Sequence, residues 1–285
     1  MTLSHSIFET SRRLVRSVWR RSVGRSAVFS ALYGSLWRRY LAFRGTTVVS
    51  GVAGRTATFD VSTRSEYVRA TEFGGEGSFL EAMLRDVEDS ETVWDVGACV
   101  GTHSCLLADA VPSGAVVAIE PEPSNAERLR ENLSRNARAV DWTVLEVALG
   151  DVDDIGTLTS EFSERGSGHH YLSEDETGDR VPVRRGESLV AGGIAQPDVL
   201  KIDVQGYELA VLKGLGTLLD DVRAIYVEIH TEKCRRYGTT ALAVESMLRD
   251  AGFTVEQLQD GPSDRPSVYF VRAVREATRV NQVGD

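Results

Sequence analysis

Cysteine, lysine and long apolar runs are all scarce in this chain of 285 residues. Its three cysteines, Cys99, Cys105 and Cys234, are scattered and form no CxxC pair. That excludes a disulfide framework and argues against a structural zinc site. No uninterrupted apolar stretch reaches the ~18 residues that a membrane span needs. No repeat or low-complexity tract is present, and at 42% hydrophobic the chain is too apolar to stay disordered. Three signatures are also missing. The absence of G-x-x-x-x-G-K-[ST] removes a phosphate-binding P-loop, and the absence of Tyr-x-x-x-Lys removes the commonest short-chain dehydrogenase chemistry. The glycine turn that does occur is G-A-C-V-G, not G-x-G-x-x-G.

The charge that is present is unevenly spread. Net charge is −10, yet residues 1–45 hold nine arginines against one acid, Glu9, so the remainder carries −18. An acidic body argues against nucleic acid as a partner, because phosphate attraction needs a basic face. Only Lys201, Lys213 and Lys233 are lysines among 32 basic residues. A high-salt cytoplasm or a GC-rich genome would each produce that composition, and the reading leans to salt adaptation.

Four segments are expected: a basic, partly amphipathic extension over 1–45, a hairpin and helix over 46–90, a main domain over 91–275, and a tail over 276–285. In the extension, Val15, Val18 and Trp19, then Phe29, Leu32, Tyr33, Leu36, Trp37 and Tyr40, recur at helical spacing. The bland reading is a helix packed on the domain or on an oligomer partner. The sharper one is peripheral membrane association through residues 5–45, placing a cytoplasmic protein at the inner membrane surface. Arginines interrupt the apolar residues, which excludes a secretory signal. Residues 46–61, with Gly51 and Gly54, predict a hairpin, and 76–88 an amphipathic helix.

After residue 90 the pattern turns regular. Strands are expected at Thr92–Val96, Val116–Ile119, Thr143–Leu149, Val199–Ile202 and Ala224–Ile229. Helices are expected at 102–110, 124–137 and 207–219, the second opening on a Ser124/Glu127 capping box. A helix at 241–251 stops at Gly252, and strands at Phe253–Leu258 and Ser267–Val271 follow with no helix between them. The alternation predicts an α/β fold: a seven-stranded, mostly parallel sheet with a C-terminal antiparallel hairpin and helices on both faces.

The segment Val93–His103 reads as strand, glycine turn and helix start, with Asp95 near the strand's end. Gly97 and Gly101 let backbone approach a ligand, and the helix N-terminus favours an anionic group. Glu120 ends the next strand, where an acid is placed to take both hydroxyls of a ribose. The pair points to an adenosine-bearing cofactor, and a sheet ending in a hairpin favours S-adenosylmethionine over NAD.

Five blocks, WDVGACVGTHS at 94–104, IEPEPSNAERLRENL at 119–133, VALGD at 147–151, DVLKIDVQGYELAVLKG at 198–214 and YVEIH at 226–230, together resemble the FkbM family of S-adenosylmethionine-dependent methyltransferases. The resemblance covers about residues 72–232. It implies a class I, Rossmann-like methyltransferase fold and O-methylation of a hydroxyl on a small molecule, lipid-linked sugar or glycan. It further implies cofactor contacts at Asp95, Gly97, Ala98 and Gly101, the ribose on Glu120, and the adenine beside Ala148 to Asp151. The sequence departs from the family at Gln205, where Glu is common, and at Cys99, where Asn is. Residues 155–190 match the family least and are expected to carry acceptor specificity.

A hydroxyl acceptor calls for a base and for alignment with the methyl group. Asp203, Glu208, Glu228 and His230 fall at the carboxyl ends of two adjacent strands, the edge where open α/β sheets bind ligands. His230 is the expected base because its ordinary titration lies near neutrality. Asp203 and Glu228 are the other expected catalytic groups, and Lys201, inside a strand, is expected in a buried ion pair. Adjacent His169 and His170 invite a metal reading, but spacing fixes no acidic partner for them and no metal ligand is assigned; some sugar O-methyltransferases use a divalent metal, so Mg²⁺ stays open. Two alternatives stay open: a cofactor-binding homologue without catalysis, suggested by Gln205, and an NAD-dependent oxidoreductase.

Overall fold

The β-branched runs of the sequence pair into one seven-stranded sheet. A computed structural model of the protein describes residues 27–160, 164–173, 177–260, 265 and 267–275. Strands β1 (Thr47–Val52) and β2 (Arg55–Asp60) form the expected antiparallel hairpin. The large sheet then takes β3 (Thr92–Val96), β4 (Ala115–Ile119), β5 (Asp141–Leu145), β10 (Val199–Ile202), β11 (Ala224–His230), β12 (Thr254–Asp260) and β13 (Val268–Val274). Their order is β12-β13-β11-β10-β3-β4-β5. Strands β3, β4, β5, β10 and β11 run parallel, while β13 lies antiparallel to both β11 and β12. This is the seven-stranded sheet with a C-terminal antiparallel hairpin expected from the alternation, and the class I methyltransferase topology that the resemblance implies. The chain reverses its direction of travel across the sheet between β3 and β10, the switch point where such sheets bind ligands.

Strands buried on both faces need apolar cover on both. One face packs helices α3 (Gly77–Asp86), α4 (Thr102–Ala110) and α5 (Pro123–Asn136) through Phe79, Leu80, Met83, Leu106, Leu107, Leu129 and Leu133. The other packs α7 (Glu208–Leu215) and α8 (Ala241–Asp250) through Val211, Leu212, Leu215, Val244 and Leu248. The start of α5 differs in detail from expectation. Pro123 occupies its first position, and the Glu122 carboxylate, not the Ser124 hydroxyl, accepts the Ser124 and Asn125 amides.

The expected strand 143–149 is two strands. The chain leaves the large sheet after Leu145, and Ala148–Leu149 (β6) joins a second sheet in the order β6-β9-β7-β8 with β7 (Asp154–Ser160), β8 (His170–Ser173) and β9 (Asp179–Arg184). Only Thr157, Leu158, Val181 and Val183 of β7 to β9 are buried, so the alternation there is too weak to read. Helix α6 (Gly186–Ala191) and helix α2 (Arg64–Glu72) were also unforeseen. For α2 a signal existed: Thr63 and Glu66 form a reciprocal capping box.

Residues 1–26 of the basic extension lie outside the described residues. Helix α1 (Ala27–Arg44) is described, and its Trp37 and Leu41 are buried in the core. Trp37 meets Tyr40 edge-on and Tyr67 of α2 at a tilt, with centroid separations of 5.5 and 5.4 Å. This part of the extension packs on the domain. Trp37→Ala is expected to cost about 3–5 kcal/mol of stability, the usual range for deleting a buried aromatic. A denaturant midpoint equal to that of the parent chain would contradict the docking.

Candidate functional site

Two loops at the switch point meet with no room for a side chain between them. Gly97, in the turn after β3, has φ +79°, and a Cβ built on it would lie 1.9 Å from the Asp203 carbonyl oxygen in the loop after β10. Only glycine satisfies both demands. Beneath this contact Lys201 stands in register with Asp95 across β10 and β3. Its Nζ lies 3.0 Å from Asp95 Oδ1 and donates to the Gly97 carbonyl at 3.2 Å. Asp95 Oδ2 accepts the Ser104 hydroxyl at 2.6 Å. The pair is buried, and burial alone would discharge Lys201, but Asp95, Asp203 and Glu76 outweigh it and raise its affinity for the proton. The expected ion pair of Lys201 is therefore present.

A cavity open to solvent lies above this tie. Gly97, Cys99, Glu120 and Ala148 line it on one side, Asp203, Gln205 and Tyr207 on another, and His170, Tyr171 and Leu172 on the second sheet's side. Glu120 is held at its rim by two backbone donors, Cys99 N–H at 2.8 Å and Glu122 N–H at 3.0 Å. Burial pushes its carboxyl up to about 7 in spite of those donors. Burial likewise pushes the Cys99 thiol up to about 12, so Cys99 is a neutral wall residue.

Of the expected cofactor contacts, Gly97, Glu120 and Ala148 line the cavity and four others do not. Asp95 is 0% exposed with both oxygens engaged from below; it supports the turn. Ala98 lies behind the turn, where its N–H bonds the Ile119 carbonyl. Gly101 is glycine for packing: it opens α4 at φ +83°, and a Cβ there would come 2.5 Å from the Leu129 side chain. Asp151 is exposed and does not line the cavity.

Of the expected catalytic groups, Asp203 alone reaches the cavity. His230 and Glu228 are 2% and 1% exposed and stand behind it, because they lie within β11, one strand further from the switch point. His230, the expected base, therefore does not line the cavity. Its Nδ1 lies 2.9 Å from Glu208 Oε1, and its Nε2 lies 3.5 Å from Glu228 Oε1 and 3.9 Å from Asp203 Oδ1. Burial works against ionisation of Asp203, but Lys201, His230, Arg69 and Lys233 outweigh it and hold the carboxyl below the usual carboxylate range. Glu228 is pushed the other way, first by burial and then by Asp203 and Glu76, against Arg265 and Lys201.

Gln205, the departure from the family pattern, has a definite part. At φ +60° it turns its amide so that Nε2 donates to Asp203 Oδ1 at 2.7 Å while Oε1 accepts from Lys233. A carboxylate in its place could not donate to Asp203. Sequence reasoning missed Arg69, which lines the cavity from α2 with its Nε bonded to the Gly166 carbonyl at 2.8 Å. The Thr63/Glu66 capping box would have revealed the helix that carries it, though not the direction in which it points.

Residues 95–255 match the family model described as the methyltransferase FkbM domain. The chain is 30% identical over 210 residues to Hexuronic acid methyltransferase AglP of Haloferax volcanii, an alignment that takes in 73% of this chain and 82% of that protein. It is 33% identical over 222 residues to AMB antimetabolite synthetase AmbE of Pseudomonas aeruginosa, covering 63% of this chain and 10% of that much longer protein. Among solved structures, Precorrin-6y C5,15-methyltransferase from Geobacter metallireducens superposes with a TM-score of 0.44 at 16% identity, over 70% of this chain and 89% of that one.

The tie under the cavity generates a stability prediction. Lys201→Met leaves Asp95 buried without its countercharge, which is expected to cost about 3–5 kcal/mol. The check is the urea midpoint at neutral pH. A midpoint shifted by less than the equivalent of ~1 kcal/mol would mean that Lys201 does not hold the two strands together.

Proposed function

The chain belongs to the FkbM methyltransferase family, and from that premise we propose that it moves a methyl group from S-adenosylmethionine to an oxygen of an acidic sugar. Membership removes the oxidoreductase alternative. The residues present fit the cofactor on two observations. Gly97, which has no side chain and lines the cavity, leaves backbone for a ligand to approach, and Glu120 presents a carboxylate fixed by two amides with lone pairs to spare. When bound, S-adenosylmethionine supplies a methyl group already activated by the positive charge on sulfur.

The protein's own task is then to bind, orient and exclude water. Glu120 takes the ribose hydroxyls, the Gly97–Cys99 turn abuts the rest of the cofactor, and Ala148 and Leu149 offer an apolar wall on the adenine side. Asp203, held ionised by Lys201 and aimed by Gln205, orients the acceptor. Such alignment is worth roughly 7–11 kcal/mol in favourable cases.

The acidic-sugar assignment is carried by Arg69. Among the residues lining the cavity it bears the fixed positive charge, in a body that is otherwise strongly acidic. A guanidinium there matches a carboxylate on the acceptor, in keeping with the hexuronic acid named for the Haloferax relative. Membrane proximity belongs to this proposal too: Leu36 and Phe43 of α1 are 56% and 80% exposed beside the exposed Arg39, a surface suited to lipid-linked sugars. No helix among the described residues is long and apolar enough to cross a membrane.

Labelled S-adenosylmethionine offered with glycosides of a hexuronic acid and of the matching neutral hexose tests the assignment. Label is expected on the acidic sugar, and Arg69→Gln is expected to raise its KM about 10–100-fold, the value of a charge-assisted bond. Equal transfer to the neutral sugar, or an unchanged KM, would overturn it. Glu120 generates a pH prediction. Ribose hydroxyls donate, so they favour the ionised carboxyl, and binding of S-adenosylhomocysteine should weaken as pH falls through 7, by about tenfold per unit below it. Glu120→Gln should abolish that dependence and bind weakly throughout. Calorimetry showing the same affinity from pH 5.5 to 8.5 in the parent chain would contradict the role.

A further inference from the structure

We propose that Asp203, Glu228 and His230 form a binding site for one divalent, oxygen-preferring cation, Mn²⁺ or Mg²⁺, on the acceptor side of the cavity. The three side chains come from the ends of adjacent strands, and each offers one ligand atom within 4.8 Å of the others. Two carboxylate oxygens and one imidazole nitrogen suit such a cation better than a soft, thiolate-seeking one.

The orientation of His230 is the first argument. Glu208 Oε1 also accepts the Gly206 N–H at 2.9 Å, so this carboxylate is an acceptor and His230 Nδ1–H donates to it. That turns His230 Nε2 toward Glu228 and Asp203, at 3.5 and 3.9 Å, too far for a hydrogen bond to either. A histidine that gives its second N–H to a carboxylate is the ordinary arrangement around a bound metal.

The second argument is independent of the first. Glu228 is 1% exposed, and its Oε2 has no hydrogen-bond partner. A buried carboxylate oxygen left bare is costly. Neighbouring cations do not answer for it. Arg265 takes Glu228 Oε1 and the Gly74 carbonyl, and Lys201 is committed to Asp95 and the Gly97 carbonyl. A cation bound by these three groups touches the cavity through Asp203, where it would hold an acceptor oxygen and lower the pKa of its hydroxyl. His230 then serves as a ligand, which accounts for its burial. The role in methyl transfer rests on the proposed function; the site itself does not.

Titration of the full-length protein with Mn²⁺, followed by loss of the free-ion electron paramagnetic resonance signal, tests the site. The expected result is one Mn²⁺ per chain, displaced by excess Mg²⁺. Glu228→Gln and His230→Gln should each weaken it about 10–100-fold or more, while S-adenosylhomocysteine still binds by calorimetry, which also certifies folding. If neither variant folds, the parent titration decides alone. A free-ion signal undiminished by an excess of the parent chain overturns the site, as do variants that bind Mn²⁺ like the parent. Binding of Mn²⁺ without S-adenosylhomocysteine would sink the cofactor reading and leave the site standing; the reverse outcome would do the opposite.

Discussion

Lys201 ties the two central strands at the point where the sheet changes direction. Its ammonium joins Asp95 on β3 and the carbonyl of Gly97 just beyond, from a position on β10 two residues before Asp203. Everything that makes the cavity follows from this contact. The loops after β3 and β10 touch closely enough to exclude a Cβ at Gly97. That proximity sets Glu120 and Asp203 on opposite sides of one space. A buried charge pair is a poor device for stability alone, because desolvation cancels much of its attraction. Its use here is geometric: the pair fixes which backbone atoms face the cavity.

Around that tie the protein gathers more buried charge than a fold requires. Glu76, Asp95, Asp203, Glu208 and Glu228 are all buried, with Lys201, His103 and His230 among them. In a medium of low polarisability these groups set one another's protonation, which is why Asp203 and Glu228, with His230 Nε2 within 4 Å of both, are pushed in opposite directions. Strongly shifted, interacting acids concentrate at functional sites. Gln205 belongs to the same network: its amide donates to Asp203.

The large sheet was legible because its strands are apolar on both faces and its helices carry stripes at i, i+3 and i+4, signals that tertiary contacts reinforce. The small sheet was not, because β7 to β9 are half-exposed and bury few residues, and the alternation is confined to Val181 and Val183 of β9. At the site, Glu120 and Asp203, beside the switch point, line the cavity, whereas Asp95, one residue short of its strand's end, and Glu228 and His230, one strand away, are buried outside its lining, because residue type and position along a strand do not say what covers the side chain. Arg69 was invisible for the converse reason: it reaches the cavity from a helix outside the α/β alternation.

The central claim is that the space between Gly97, Glu120 and Asp203 is where the methyl donor sits. A crystal structure of the chain with S-adenosylhomocysteine tests this most directly. Density for the ribose against the Glu120 carboxylate, with the remainder of the molecule along the Gly97 turn and the Lys201–Asp95 contact unbroken beneath it, is the expected result. Density for the ligand at any other place on the chain, or a Gly97 turn drawn away from Asp203 to admit it, would contradict the account.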